Sequence, residues 1–560
     1  MTTGADLFVA ALEQYGVDRV FGNPGTTELP VMDALADSDL EYVLGLHEDI
    51  AVGMAAGYAQ TRRYHAHHDD SVLPVGVVNL HVAPGLAHGL GNLYGASVTG
   101  APLVVTAGNH STHFRHEEPI LHGELYDMAD QFTKWSDEVL DVEALPTMLR
   151  RAFRVAMTPP TGPVFLALPL DVMMSETDDE PERLGDIPSA GRGDPAQVAH
   201  AADLLADADD PVMVVGDGVA RSGVDAVEAA VDLAEAIGAR VHGEILACEV
   251  DFPTDHDQWV SYIAPDEDVA AALMSTDTLL FVGCSTNTTL VRHEQDLVGP
   301  DTTCIHVSDD AWQVGKNQPA DAAVVGDPGL VLSELADRMA DRVSSEERAA
   351  RLERVEAMKG MVEQQMAAMT GEPRPDDPRA SKAELVDAMR AVAPDAYVVD
   401  EGVTAKYAML TRWPFDPEQY VSNKGGGLGY GLPAAVGAAM AEERRPDPRR
   451  VVGFIGDGSY LYYPQTLYSA ARYGVDLAVV VPDNRNYRIL KDNTLSLFGG
   501  EEADHEFVGM DFDPPVDIPR NAESHGASGR LVETADGIED ALAAALQEEG
   551  PSVVDVLVHD

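Results

Sequence analysis

Short runs of Val, Ile and Leu recur along this chain, among them "PVGVVNL", "APLVVTAG", "GPVFLALP", "PVMVVGDG", "TLLFVGC", "VVGFIGDG", "DLAVVVPDN" and "SVVDVLV", with Ala-rich amphipathic stretches between them. Runs that are apolar at consecutive positions, not alternate ones, belong to strands buried on both faces, and strands that alternate with helices form parallel sheets. Two stretches break the rhythm. "SETDDEPERLGDIPSAGRGD" from Ser175 to Asp194 is polar, bears Pro and Gly and reads as strand-free, and "MTGEPRPDDPRA" from Met369 to Ala380 is similar. Cutting there predicts an α/β protein of three doubly wound parallel-sheet domains, near 1–175, 195–345 and 380–560. With 560 residues the chain is too long for a single core, whereas each block is large enough to bury its own.

Charge narrows the partners. There are 37 Lys plus Arg against 95 Asp plus Glu, a formal net charge of −58, which argues against nucleic acid and anionic membrane. An ordinary 45% of apolar residues places this acid on the surface of a folded protein, as suits a salt-rich cytoplasm where screening shortens to a Debye length of about 3 Å at 1 M. Cys248, Cys284 and Cys304 have no paired spacing and read as small buried apolar residues of a reducing compartment. The opening "MTTGADLFVAALEQYGVDRVFG" runs directly into a helix and a strand, with no export signal or membrane span expected.

Against that acidic background one more carboxylate is conspicuous. Asp457 stands between two glycines in "VVGFIGDGSY", at the carboxyl end of an apolar strand, the place where open parallel sheets bind ligands. A second apolar strand ends in "PDNRNY", with Asn484 lying 484 − 457 = 27 residues further on. That span holds one crossover helix, "YPQTLYSAARYG", so the two strand ends are expected to be neighbours. A carboxylate, an amide oxygen and a backbone carbonyl form a hard oxygen site suited to Mg²⁺ that arrives with phosphates. In the middle block "VVGDGVARSG" looks like a nucleotide loop, yet Gly216, Gly218 and Gly223 miss the G-x-G-x-x-G spacing, and a plain strand-to-helix turn is preferred.

The paired G-D-G and Asn resemble the signature of thiamin diphosphate-dependent enzymes. "VFGNPGTTELP", "GLHEDIAVGMAAGYAQ", "VVNLHVAPGLAHGLGNLYGA" and "GGGLGYGLPAAVGAAM" resemble, in order, segments of the acetolactate synthase/2-oxo acid decarboxylase superfamily, the benzoylformate decarboxylases above all. The resemblance implies pyrimidine-binding, central and diphosphate-binding domains in that order. It implies that Glu48 faces the aminopyrimidine, that Gly426 offers it a backbone carbonyl, and that Leu428 props the bent cofactor. It implies Mg²⁺ held by Asp457, Asn484 and the Asn486 carbonyl, with Thr404, Gly458, Ser459 and Tyr487 along the diphosphate and ring. His81 matches the active-site histidine of the decarboxylases, which the synthases lack. Thr26 stands where the decarboxylases carry serine, and their second histidine has no aligned counterpart, His293 lying merely nearby.

The activity so implied is release of carbon dioxide and an aldehyde from a 2-oxo acid resembling benzoylformate, in a homodimer or homotetramer with active sites at subunit interfaces. The alternatives are an acetolactate synthase-like carboligase, whose relatives carry FAD, and a scaffold that binds cofactor without activity. Two features stand apart from these motifs. The tract "RRYHAHHDDS", with His65, His67, His68, Asp69 and Asp70, reads as a solvated surface loop, and "FRHEEPILHGELYDMADQFTKW" is expected to cover the site.

Overall fold

A computed structural model describes residues 2–285, 293–369, 374 and 376–560. The stretch Met369–Ala380 therefore lies partly outside the described residues. By contacts the chain divides into two units, one of residues 1–187, 371–413 and 423–560, the other of 188–370 and 414–422.

The first unit opens with a parallel sheet of β1 (Arg19–Gly22), β2 (Glu41–Leu44), β3 (Gly76–His81), β4 (Leu103–Asn109), β5 (Ser136–Glu138) and β6 (Val164–Pro169), ordered β2-β1-β3-β4-β6-β5. Val77 and Val78, and Val104 and Val105, are all fully buried. Since successive strand residues point to opposite faces, both faces of this sheet are covered. Helix α1 (Glu48–Ala66) precedes β3, and α2 (Val82–Thr99) follows it. Between 175 and 194, where no strand is expected, Glu176–Thr177 pairs antiparallel with Thr2–Thr3. Edge pairs this short carry no hydrophobic period to read.

The second unit holds β7 (Pro211–Val215), β8 (Arg240–Gly243), β9 (Trp259–Tyr262), β10 (Thr278–Val282), β11 (Thr303–Ser308) and β12 (Ala322–Val325), parallel and ordered β9-β8-β7-β10-β11-β12. After β7 the Gly216–Gly218 turn runs straight into a helix, and its buried Asp217 accepts the backbone N–H of Cys248 at 2.8 Å. All three cysteines are buried and unbridged.

The first unit continues with α3 (Lys382–Val392), β13 (Tyr397–Glu401), α4 (Gly431–Glu442), β14 (Val451–Ile455), α5 (Thr466–Tyr473), β15 (Leu477–Asp483), β16 (Ser528–Val532) and β17 (Pro551–Leu557). These five strands run parallel in the order β13-β14-β15-β17-β16, repeating β1-β3-β4-β6-β5 of the first sheet. Helix α5 is the crossover between the adjacent β14 and β15.

Helices α1 and α4 cross at close range. A β-carbon on Gly57 would overlap the Ala434 carbonyl, and one on Gly437 the Met54 carbonyl. Bare backbone at both positions is what lets the axes approach. The crossing also corrects the reading of "RRYHAHHDDS" as a surface loop. His65 is buried on the last turn of α1, with Nε2 3.1 Å from Glu442 of α4, while Asp69 and Asp70 are exposed in the turn beyond. The charged letters hid a helix end, because ionisable residues read as surface unless a partner across the fold is known.

Candidate active site

Two half-sites take shape in the first unit. One forms where β14 and β15 end. Leu428, Thr404, Asp457, Gly458, Ser459, Asn484, Asn486 and Tyr487 all line one pocket there, together with Lys382 and Arg488. Gly426, at φ +71 in the glycine-rich turn, is not among the lining residues. That turn is pinned from beneath: Glu401 at the end of β13 accepts backbone N–H groups of Gly429 (3.2 Å), Tyr430 (3.3 Å) and Gly431 (2.9 Å) and the Asn423 amide (2.9 Å). Burial lifts the Glu401 carboxyl to about 7 despite these donors.

The metal question turns on orphaned oxygens. Asp457 Oδ1 accepts the Gly458 N–H at 2.9 Å, but among the described residues its buried Oδ2 has no hydrogen-bond partner, and neither has the buried Oδ1 of Asn486. Burial and the neighbouring buried Asp483 push the Asp457 carboxyl well above the ordinary range. Two neighbouring carboxylates, with orphaned oxygens on Asp457 and on the Asn486 amide, fit a divalent cation, which would relieve both the repulsion and the lost solvation. Asn484 donates its Nδ2 to Asp560 Oδ1 at 2.7 Å, and Asn486 donates to Asp560 Oδ2 at 3.1 Å. Each amide is thereby oriented from behind.

The other half-site lies around the ends of β2 and β3. Glu48 is the first residue of α1, only 8% exposed, and His88 of α2 sets its Nδ1 3.2 Å from Glu48 Oε2. His81 ends β3 with Nδ1 2.8 Å from Glu28 Oε2. A carboxylate can only accept, so this contact places the His81 proton on Nδ1 and frees Nε2. Gly25 donates its N–H to the same Glu28 oxygen, and a β-carbon there would overlap the His81 ring. Gly85 brings the two candidates together: a β-carbon on it would lie 3.0 Å from Glu48 Oε1 and 3.2 Å from His81 Cβ. Thr26 is exposed at the start of a short 3-10 turn, whereas Thr27 is buried, with its hydroxyl 3.3 Å from His81 Nδ1. His293 is half-buried in the second unit.

Backbone strain marks both half-sites. Val82, directly after His81, has φ +30, and Val403, directly before Thr404, has φ +52. A β-branched residue at positive φ is costly by about 1–3 kcal/mol, and such outliers gather at functional sites.

Comparison with known proteins agrees with this architecture. The chain matches the family descriptions "Thiamine pyrophosphate enzyme, N-terminal TPP binding domain" over residues 2–133, its central domain over 198–335 and its C-terminal TPP binding domain over 400–556. It belongs to the thiamin diphosphate-dependent enzymes, in the superfamily of 2-oxo acid decarboxylases and acetolactate synthases. Within that family it is 31% identical to benzoylformate decarboxylase of Pseudomonas aeruginosa over 97% of both chains. It is 27% identical to a probable acetolactate synthase large subunit of Methanocaldococcus jannaschii, over 99% of this chain and 92% of the relative. Among solved structures it resembles the thiamine diphosphate-dependent 4-hydroxybenzoylformate decarboxylase of Rhodococcus jostii, with a TM-score of 0.85 and 28% identity, covering 100% of this chain and 99% of that one.

The resemblance did not point to Glu28, Lys382, Arg488 or Glu401. Glu28 carried a signal, since it lies three residues past Gly25 at the opening of a helical turn, where a carboxylate caps backbone N–H groups. The other three are unremarkable letters whose setting exists only in the fold.

Proposed function

We propose that the protein decarboxylates a 2-oxo acid with an aromatic or branched side chain, resembling benzoylformate, to an aldehyde and carbon dioxide. The observation that carries this reading is His81, held through Nδ1 at Glu28, with Gly85 packed against both His81 and Glu48. An imidazole held by a carboxylate at one nitrogen is suited to deliver or withdraw a proton through the other. Glu48 would hold and share a proton with the aminopyrimidine, with the His88 ring against its second oxygen. Asp457, Asn484 and the Asn486 carbonyl would hold Mg²⁺, and Thr404, Gly458, Ser459, Tyr487 and Leu428 would seat the diphosphate and ring, with the Gly426 carbonyl toward the amino group. Bound thiamin diphosphate supplies the electron sink that the departing carboxylate needs.

The diphosphate pocket is lined by residues between 382 and 489, none of them from the first sheet domain. This supports an active unit of at least two chains, a homodimer or homotetramer, in which Glu48 and His81 of one chain face the pocket of another. The acidic surface suits a salt-rich cytoplasm.

The test is His81→Ala. It is expected to retain Mg²⁺-dependent cofactor binding, measured by calorimetry, while turnover of benzoylformate falls by about 10²–10⁴-fold. A fully active variant would make His81 a core residue and overturn the reading.

A further inference from the structure

The diphosphate pocket contains two cations, and they are in different situations. The Arg488 guanidinium is committed to carboxylates, at 2.7 Å from Asp492 and 2.6 Å from Glu502, with Asp560 at 3.7 Å. Lys382 is not committed in this way. Its side chain is 16% exposed, its Nζ donates to the Thr404 hydroxyl at 3.1 Å, and its nearest carboxylate among the described residues, Asp560, stands at 4.0 Å. An ammonium has three donors, so one hydrogen bond leaves this one under-used.

Its place in the fold deepens the anomaly. Ser381 and Glu384 form a reciprocal cap that fixes the start of α3 and makes Lys382 its first helical residue. A positive charge at a helix N-terminus works against the helix dipole, and burial pulls the Lys382 pKa below the ordinary lysine value. Helix stability does not account for the lysine, and its ion pair with Asp560 is long, at 4.0 Å. The chain has only seven lysines, and this one lines the same pocket as Asp457, Ser459 and Thr404.

We propose that Lys382 is a diphosphate-binding residue of this enzyme, its ammonium meeting the phosphate oxygens beside Thr404 in addition to a cation that Asp457 would hold. The chemistry is complementary. A diphosphate brings more negative charge than one divalent cation neutralises, and in a protein this acidic the remainder needs a local positive group. Charge-assisted N–H···O bonds are the strong kind. The inference rests on the pocket being the cofactor site.

The experiment titrates cofactor-free protein with thiamin diphosphate, thiamin monophosphate, thiamin and inorganic pyrophosphate at fixed Mg²⁺, following binding by calorimetry. Lys382→Met is expected to weaken thiamin diphosphate and pyrophosphate by about 10–100-fold and to leave thiamin unchanged, with Lys382→Arg recovering part of the loss. Should Lys382→Met fold poorly, Lys382→Gln carries the same test, since it keeps length and polarity without charge. Asp457→Ala runs in parallel. If Asp457→Ala abolishes binding while neither neutral Lys382 variant changes it, the lysine proposal falls and the pocket stands. If none of the variants changes it, the pocket reading itself falls.

Discussion

His81 owes its tautomer to Glu28 and its space to Gly25. Adding one methyl group tests that dependence without touching an ionisable group. Gly25→Ala places a β-carbon in the imidazole ring, so the ring must rotate off Glu28 or the turn must open. The expected outcome is unchanged cofactor affinity with turnover reduced by about 10²-fold or more, because small misplacements of a reacting group are costly. Wild-type turnover in Gly25→Ala would show that the ring's position does not matter. At this scale the motifs reach Glu48, His81, Asp457 and Asn484 because strand-end loops expose chemistry in fixed spacings. They do not reach Glu28 or Lys382, which are defined by what stands opposite them. Glu28 meets His81 across 53 residues, and Lys382 meets Thr404 across 22.

Between elements, the junction of α1 and α4 joins the first and last sheet domains. The letters of both helices are Gly- and Ala-rich, but neither their contact nor its polar lock was legible in them. Glu442 is 1% exposed and gathers His65 at 3.1 Å and Arg449 at 2.9 Å through its backbone N–H and 3.1 Å through Nε. Burial alone would raise its carboxyl, but the His65 and Arg449 hydrogen bonds more than offset that and hold it down at about 2. A carboxylate with a depressed pKa contributes stability above its unfolded value, 4.5, that is lost as pH falls toward about 2. Glu401 works in the opposite sense: lifted to about 7, it contributes stability below 4.5 that is lost as pH rises through 7. Glu442→Ala removes the buried carboxylate that His65 and the half-buried Arg449 share, so urea unfolding is expected to show a loss of about 3–5 kcal/mol. The variant should also show a shallower loss on the acid side than the wild type. An unchanged acid limb would mean that Glu442 does not carry that dependence.

Across the whole molecule, three parallel sheets follow from runs apolar at consecutive positions, and the repeated strand order of the first and last domains explains why both present strand ends to a ligand. The alternation of strand and helix was legible throughout; the antiparallel pair of Thr2–Thr3 with Glu176–Thr177 was not, because two residues carry no period. Relatives named decarboxylases and synthases match this chain over nearly its whole length, so the fold defines the cofactor chemistry and leaves the product to be measured. The direct measurement is therefore product stoichiometry. Holoprotein with thiamin diphosphate and Mg²⁺ but no flavin is given benzoylformate and, separately, pyruvate, and carbon dioxide, aldehyde and acetolactate are quantified. Benzaldehyde and carbon dioxide are expected in equal amounts from benzoylformate, with little acetolactate from pyruvate. Acetolactate as the main product from pyruvate, with benzoylformate untouched, would contradict that expectation.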